Sequence, residues 1–230
     1  MKIIALIPYW LEYQVNEFRQ HKNLKKLAGK YLINYSIELL NSIKEISETI
    51  VYCSDEKINN YINKELNYKF MKRDTFLDNN DISIDTILKH FISDLKDDID
   101  IIILLHPNSP FLNQNTVEEC ISNVLHNNDS AFTAFSYKKF AWFENKPLNY
   151  SLSAKTPDLS TIEPIIIEQS SLYVFTKESF LKTSKRIGKV PFIKFINHFE
   201  GHEIQTEEDF EIAELIINSG MYPKVNYGNN

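Results

Sequence analysis

The first polar loop of the chain occupies the place where many α/β proteins hold a phosphate. It begins at Pro8, after a short apolar run over residues 3–7, within the stretch IPYWLEYQVNEFRQHKN. Phosphate-binding loops are usually rich in glycine, because side chains keep the backbone amides away from the ligand. Residues 8–23 contain no glycine. If this loop binds a phosphate, side chains such as Arg19 and Lys22 must carry more of the charge.

A second polar loop, HPNSP (residues 106–110), follows the most apolar run of the chain, residues 101–105. A continuous apolar run of this kind predicts a central parallel strand that is covered on both faces. An imidazole or an amide that two prolines hold at the end of such a strand could hydrogen-bond a ligand hydroxyl. A lone histidine is more often structural, but the position of His106 at the carboxyl end of a strand favours binding.

Apolar runs and helix-period segments alternate along the chain and must position these loops. Strands are predicted at residues 3–7, 46–52, 68–71, 101–105 and 131–136, and helices at 32–44, 55–66, 83–95 and 113–127. Right-handed crossovers between such elements give an α/β fold with a doubly wound, mostly parallel sheet. Ligands of these sheets bind at the carboxyl ends of the strands, which directs attention to the loops that follow them.

The last third of the chain returns to the sheet and ends in a helix. Residues 165–175, IIIEQSSLYVF, predict a strand with a Glu-Gln-Ser-Ser interruption. The run TEEDFEIAELIINSG predicts a final helix, which Thr206 caps in a capping-box-like start and which Gly220 ends.

The stretch 137–165 differs from the rest, because it has no clear helical periodicity and is rich in lysine, aromatic residues and proline. We expect it to form short strands and loops that project from the sheet. Residues 1–136 and 166–230 would then form one α/β domain, and 137–165 a small inserted region.

Composition excludes several classes of protein. The net charge of −6 at pH 7 argues against a general nucleic-acid binder. Cys53 and Cys120 are far apart and belong to no CxxC motif, which predicts buried free thiols and no zinc site. No segment resembles a signal peptide or a membrane span, so we expect a cytoplasmic protein with no membrane partner.

Three collinear segments together resemble one enzyme family. They are KNLKKLAGKYLINYSIE (residues 22–38), HPNSP and TEEDFEIAE (residues 206–214). In this order and spacing the chain resembles the acylneuraminate cytidylyltransferases (CMP-sialic acid synthetases) and the CMP-Kdo synthetases over almost its whole length. The resemblance implies a nucleotide-diphospho-sugar transferase-like fold in which the α/β domain binds the nucleotide. It also implies that the inserted region serves as a dimerisation or lid region of a homodimer.

The same resemblance implies roles in nucleotide binding. Lys22 and Asn23 match the basic end of the family's first loop, at the triphosphate, with Arg19 as a helper. Arg73 and Ser83 match residues that read cytosine, and a guanidinium can donate to the O2 and N3 acceptors of that base. Ser83 is also suited to cap a helix. The residues implied in nucleotide binding are Pro8, Lys22, Asn23, Arg73, Ser83, Asn108 and Ser109.

Roles in acceptor binding and catalysis are implied at three further places. His106 stands where the family carries a glutamine-led loop that contacts sugar and ribose, and Glu168 matches an acidic position at the sugar or ribose end of the site. A family arginine near the second loop appears here as Leu112, so one anion contact is lost. The implied acceptor-binding residues are His106, Glu168 and Gln169, and the implied catalytic residues are Lys22, Arg19 and His106.

The implied metal site departs most from the family. Glu203 and Gln205 stand where the family has two aspartates, one residue apart, before the last helix. Alternation along an extended segment keeps both side chains on one face. A carboxylate and an amide oxygen can ligate Mg²⁺, or Mn²⁺, although with less charge than two carboxylates.

The leading hypothesis is a CTP-dependent nucleotidyltransferase that transfers CMP from CTP to a small acidic sugar, a nonulosonic acid or a Kdo-like acid, and releases pyrophosphate. Such a product would serve cell-surface polysaccharide biosynthesis. Three alternatives stay open: an acceptor that carries a phosphate or phosphonate, transfer from another nucleotide, and a non-catalytic nucleotide-binding relative. The aromatic residues Tyr9, Trp10 and Tyr13 are expected to pack the first loop down; otherwise they line a changed acceptor pocket.

Overall fold

A seven-stranded sheet forms the centre of the protein in the computed structural model, which describes residues 1–10, 25–96 and 98–220. Its strands in chain order are β1 (Ile3–Pro8), β4 (Glu48–Cys53), β5 (Lys69–Lys72), β6 (Ile101–Leu105), β7 (Ser130–Tyr137), β10 (Ile165–Thr176) and β11 (Pro191–Phe195). Two small hairpins are formed by β2 (Lys26–Leu27) with β3 (Lys30–Tyr31) and by β8 (Trp142–Phe143) with β9 (Lys146–Pro147).

The strand order across the central sheet is β11-β7-β10-β6-β1-β4-β5. Neighbouring strands are parallel except where β10 pairs with β6 and with β7. The predicted α/β fold with a doubly wound, mostly parallel sheet is therefore confirmed. This arrangement brings the carboxyl ends of β1, β4, β5, β6 and β7 to one edge, where ligands of such sheets bind.

Five α-helices in the described residues surround the sheet: α1 (Leu32–Asn41), α2 (Ile84–Asp94), α3 (Gln114–His126), α4 (Lys177–Thr183) and α5 (Glu207–Asn218). Helices α1 and α3 cover one face, and α2 and α4 cover the other. The buried strands can serve both layers because successive side chains point to opposite faces. In β1, for example, Ala5 and Ile7 face α1 and α3, whereas Ile4 and Leu6 face α2.

A bulge in β10 coincides with the predicted Glu-Gln-Ser-Ser interruption. Glu168 pairs with Ala134 of β7 and Tyr173 pairs with Phe132, so β10 advances five residues where β7 advances two. In a regular strand, residues five apart point to opposite faces. Because of the bulge, Glu168 and Tyr173 point to the same face, the one covered by α2.

One element differs in type from the sequence-based expectation, and two further elements are not predicted by the sequence. Residues 55–66, predicted as an α-helix, contain a six-residue 3-10 helix, Glu56–Tyr61, with Asp55 as its N-cap. Helix α4 and strand β11 were not predicted. The short helix spans two turns, and β11 is half-buried along most of its length, so neither has a strong period in the sequence.

The final helix follows its prediction closely. The side chain of Thr206 accepts a hydrogen bond from the Asp209 backbone N–H, and the Asp209 carboxylate accepts one from the Thr206 backbone N–H, which completes the capping box. Gly220 beyond the helix has φ +68°, a left-handed conformation that suits glycine.

Cys53 and Cys120 are both free and buried, as predicted. Burial raises the pKa of the Cys120 thiol to about 12, so it stays protonated at neutral pH. None of the helices in the described ranges is long and apolar enough to cross a membrane. The division into residues 1–136 with 166–230 and an inserted region 137–165 stays a prediction.

Candidate active site

The carboxyl edge of the sheet gathers most of the predicted site residues that the structure describes. Pro8 is the last residue of β1, Arg73 follows β5 and His106 follows β6. Glu168 and Gln169 lie just before the bulge of β10, which reaches the same edge because this strand runs in the opposite direction. Residues distant in sequence thus meet at the edge where the fold favours a ligand.

The predicted first-loop residues Arg19, Lys22 and Asn23 lie outside the described residues, as does Tyr13. Their roles stay predictions. The start of that loop is described, and it follows the expectation that its aromatic residues pack down. Tyr9 is fully buried, and Trp10 packs against the apolar layer on the α2 face.

Arg73 holds the start of this loop in place. Its guanidinium Nη2 donates to the Tyr9 carbonyl oxygen at 2.9 Å, and its Nε donates to Asp78 Oδ1 at 3.1 Å. The guanidinium lies 4.5 Å from the centre of the Trp10 ring, and the side chain has no exposed surface. In this structure Arg73 is therefore an anchor for the loop, and its predicted contact with cytosine stays a prediction.

Ser83 occupies the N-cap of α2. Its Oγ accepts a hydrogen bond from the Thr86 backbone N–H at 3.2 Å, as its predicted capping role requires. The side chain is exposed near the carboxyl edge, so a second contact to a nucleotide base is sterically open. That second role stays a prediction.

The HPNSP loop is tied to two other parts of the site. The His106 backbone N–H donates to the Ser171 carbonyl oxygen in the β10 bulge at 3.0 Å, and the Ile204 backbone N–H donates to the Asn108 carbonyl oxygen at 2.8 Å. Ser109 is 3% exposed, and its hydroxyl has no partner among the described residues. A buried hydroxyl without a partner costs about 1–3 kcal/mol, so a ligand or water partner is expected there.

Glu203 lies at the centre of the hydrogen bonds on this side of the site. Its Oε1 accepts from Gln169 Nε2 at 2.9 Å and from the Ser170 backbone N–H at 3.0 Å. Its Oε2 accepts from Gln205 Nε2 at 2.6 Å. Residues 203–205 form no strand. Ile204 is buried, however, and the side chains of Glu203 and Gln205 contact each other, so both lie on the same side of the segment, as predicted.

The oxygen atoms of Glu203 and Gln205 fit a magnesium ion in chemical type. Mg²⁺ prefers oxygen ligands and is usually bound by one or two carboxylates together with substrate phosphates and water. The described part of the chain contains no group of three or more His, Cys, Asp or Glu side chains that could hold a metal ion. A metal at Glu203 would therefore draw its remaining ligands from the nucleotide and from water.

Gln169 supports Glu203 from the interior. The residue is 4% exposed, and its two amide N–H groups donate to the Gly201 carbonyl oxygen and to Glu203. Its Oε1 accepts from Thr133 and from the Ser171 backbone N–H. The structure thus places Gln169 behind the metal-binding candidate, and its predicted contact with the acceptor stays a prediction.

Asp209 belongs to the capping box and not to the metal candidates. Burial alone would raise the pKa of its carboxyl, but hydrogen bonds from Thr206 and from the Gln205 backbone outweigh burial and lower it. The ionised carboxylate therefore fixes the Gln205 backbone beside Glu203. His202 turns its Nε2 towards the Asp209 carbonyl oxygen at 2.8 Å.

The sequence does not predict the ion-pair partners of Arg73 and Glu168. The sequence does not point to Asp78, the partner of Arg73, or to Arg186, the partner of Glu168. Arg186 also pairs with Asp85, 101 residues away in sequence, and no periodicity or motif signals such a distant contact. The basic pair Lys185-Arg186 was the available signal, but a solvated turn explains such a pair equally well.

A polar cleft of about 570 Å³ opens at the carboxyl ends of β4 and β5. Its lining includes Asp55 and Asp78, with Lys72 and Asn79. Carboxylates and amide oxygens can accept hydrogen bonds from an amino group, but the same carboxylates repel a triphosphate. The cleft is thus better suited to a base than to phosphates.

Fold and site together define an α/β protein with a doubly wound sheet whose polar groups gather at the carboxyl edge. The family model described as cytidylyltransferase matches residues 20–210 of the chain. The protein belongs to the cytidylyltransferase family and is a CTP-dependent nucleotidyltransferase. This confirms the superfamily and the reaction class that the sequence predicts. A search of curated protein sequences gives no match.

Solved structures share the fold at low sequence identity. A CMP:2-keto-3-deoxy-manno-octonic acid synthetase complexed with CTP matches with a TM-score of 0.70 and 13% identity, covering 95% of this chain and 99% of that chain. The 4-diphosphocytidyl-2C-methyl-D-erythritol synthase from Anaerococcus prevotii matches with a TM-score of 0.66 and 14% identity, covering 94% of this chain and 98% of that chain. The bifunctional IspDF from Campylobacter jejuni matches with a TM-score of 0.67 and 14% identity, covering 92% of this chain and 54% of that chain.

Proposed function

We propose that the protein transfers CMP from CTP to a small acidic sugar, a nonulosonic acid or a Kdo-like acid, and releases pyrophosphate. The observation that carries the proposal is the junction between the HPNSP loop and the segment around Glu203. The hydrogen bond from the Ile204 N–H to the Asn108 carbonyl oxygen joins the segment of Glu203 to the HPNSP loop, which supports a site shared by metal and nucleotide. The hydrogen bonds from Gln169 and Ser170 to Glu203 connect β10, the strand that carries the acceptor candidates, to the same junction.

In the proposed reaction, an acceptor hydroxyl oxygen bonds to the α-phosphorus of CTP while the bond from that phosphorus to the bridging oxygen of the β-phosphate breaks. Pyrophosphate leaves, and the hydroxyl proton passes to water or to a nearby base. Transfers of this kind depend mainly on positioning and on neutralised charge. His106 would orient the hydroxyl, and Lys22 and Arg19 would lie along the triphosphate.

A magnesium ion held by Glu203 and Gln205 would neutralise charge on the phosphates when it is bound. The Gln205 side chain brings no charge, so Glu203 supplies the negative charge of this pair. The polar cleft beside Asp78 would take the cytosine base, whose amino group is a hydrogen-bond donor.

The test is pyrophosphate release by the purified protein with CTP and Mg²⁺ or Mn²⁺. The acceptor panel contains nonulosonic acids, Kdo, and acceptors that carry a phosphate or a phosphonate. We expect turnover with an acidic sugar and slower turnover with ATP, GTP or UTP in place of CTP. Absence of a thermal shift with CTP would refute the proposal at its binding step.

We also propose a cytoplasmic homodimer that forms through the inserted region. Large apolar side chains of this region are exposed, among them Trp142 at 54%, Phe143 at 65% and Leu152 at 69%. Exposed apolar residues of this density are typical of protein interfaces. Replacement of Trp142 and Phe143 by Ser should convert the dimer into a monomer, as measured by analytical ultracentrifugation. An unchanged sedimentation coefficient would contradict this interface.

A further inference from the structure

An ion cluster on the α2 face of the sheet joins the acceptor candidate Glu168 to Arg186, a residue with no role assigned so far. Arg186, in the loop between α4 and β11, contacts Asp85 in the first turn of α2 at 3.3 Å and Glu168 of β10 at 3.2 Å. Its guanidinium lies over the Tyr173 ring, 4.5 Å from the ring centre. Arg186 thus links the helix capped by Ser83 to the strand that carries the acceptor candidate.

The carboxylate of Glu168 is held at one oxygen and open at the other. Its Oε1 accepts hydrogen bonds from the Tyr173 hydroxyl and from Arg186 Nη2. No group among the described residues donates to its Oε2, and 42% of the side chain is exposed. Burial and the bond to Glu168 raise the pKa of Tyr173, so the phenol keeps its proton and stays a donor.

The loop that carries Arg186 is fixed by its own backbone contacts. The Asp129 carboxylate accepts hydrogen bonds from the backbone N–H groups of Lys189 at 2.7 Å and Val190 at 3.1 Å. Gly188 lies so close to this carboxylate that a Cβ there would be 2.4 Å from it. The guanidinium is therefore presented by a preorganised loop, which lowers the entropy lost when it holds a partner.

The charges of the cluster balance. Arg186 and Lys185 are positive, and Asp85 and Glu168 are negative. The cluster as a whole therefore attracts no anion, although it lies at the acceptor end of the site. An ionised carboxylate only accepts hydrogen bonds, so the free oxygen of Glu168 is suited to a hydroxyl donor.

We propose that Arg186 is a positioning residue for the acceptor. With Tyr173 it fixes one oxygen of Glu168, so that the other oxygen accepts a hydrogen bond from an acceptor hydroxyl. The inference rests on the proposed function and deepens it. A hydroxyl-bearing part of the acceptor contacts β10, and its acidic group points away from Glu168, since two carboxylates side by side repel each other.

The test compares Arg186→Met with Lys185→Met, because both residues contact Asp85 and Arg186 alone of the two also contacts Glu168. Steady-state pyrophosphate release gives KM for CTP, KM for the acceptor, and kcat. We expect Arg186→Met to raise the acceptor KM about 10-fold or more, the size of one lost charge-assisted hydrogen bond, and to leave the CTP KM within about twofold. Lys185→Met should leave all three values within about twofold.

A double-variant cycle separates positioning from general damage. Glu168→Gln should raise the acceptor KM in the same way, and Arg186→Met combined with Glu168→Gln should be no worse than Glu168→Gln alone. If Arg186→Met fails to fold, Arg186→Lys takes its place, since it keeps the charge but cannot bridge both carboxylates; we expect an intermediate acceptor KM.

Three results would overturn the inference while leaving the proposed function intact. They are an acceptor KM for the Arg186 variants equal to that of Lys185→Met, an equal rise in both KM values, and additive losses in the cycle. A wild-type protein that binds CTP but turns over no acceptor overturns the proposed function, and the inference falls with it.

Discussion

Replacing Arg73 by Met should destabilise the protein strongly, because it removes one partner of a buried ion pair. The Arg73 side chain has no exposed surface, and Asp78 has 15%. Removing one member of such a pair costs about 3–5 kcal/mol, since the remaining charge loses its partner. The carbonyl oxygens of Tyr9 and Tyr52 each lose the hydrogen bond that Arg73 donates.

We take about 3 kcal/mol as the expected loss, the lower end of that range, because water can partly reach Asp78. For a domain of this size, each kcal/mol lowers Tm by about 2–4 °C, so Tm should fall by about 6–12 °C. Urea unfolding followed by circular dichroism measures the free energy directly. Lys72→Met is the matched control, since the neighbouring Lys72 is exposed and should change stability by less than about 0.5 kcal/mol.

A loss below about 1 kcal/mol for Arg73→Met would refute the view that Arg73 anchors the first loop. The predicted contact with cytosine is tested on Arg73→Lys by titration with CTP, ATP and GTP. If Arg73 reads cytosine, CTP affinity falls and the affinity for the purine nucleotides does not. An equal fall for all three nucleotides means that the variant has disturbed the loop and that Arg73 does not read the base.

Glu203→Gln should lower the rate of pyrophosphate release at least about 100-fold with little change in Tm, because it removes the charge that holds the metal and keeps the shape; a rate within about fivefold of wild type would contradict the proposed metal site. Gly188→Ala should destabilise by about 1–3 kcal/mol in urea unfolding, since its Cβ would lie 2.4 Å from the Asp129 carboxylate, and an unchanged midpoint would contradict this. Asp209 has a lowered pKa in the folded protein, so its contribution to stability is present above its unfolded pKa of about 3.9 and is lost as the pH falls through the folded value. Stability curves of wild type and Asp209→Asn should therefore converge as the pH falls below the unfolded pKa of about 3.9, and curves that stay parallel through the acid range would refute the assignment.

The central part of the fold could be predicted from the sequence because its signals are local. The five-residue run of β6 is apolar throughout, and it is fully buried. The capping box at Thr206 needs residues that are three apart, and both its bonds are present. The family resemblance rested on short collinear segments of the same local kind. Helix α4 and strand β11 have weak local signals and were missed.

The sequence could place candidate residues at the edge of the sheet but could not assign their partners. The sequence predicts Arg73 as a ligand for cytosine, whereas the structure engages its guanidinium with Asp78 and with the start of the first loop. The sequence predicts Gln169 as an acceptor contact, whereas the structure turns its amide towards Glu203. Such partners are set by the packing of one element against another. The spacing of residues along the chain does not predict this packing.

The sequence by itself determined the fold class and the family, and it indicated the edge of the sheet at which a ligand is expected, because apolar periodicity and short motifs are set by residues close together in the chain. The tertiary structure decided which side chains remain available at that edge. The bulge of β10 is the clearest case, since it turns Glu168 and Tyr173 to one face, where Arg186 from the loop between α4 and β11 pairs with Glu168 and Asp85. Arg186 contacts Glu168 and Asp85, which lie 18 and 101 positions away in the chain. Such contacts depend on how the strands pair and the loops close, and no local sequence pattern predicts them.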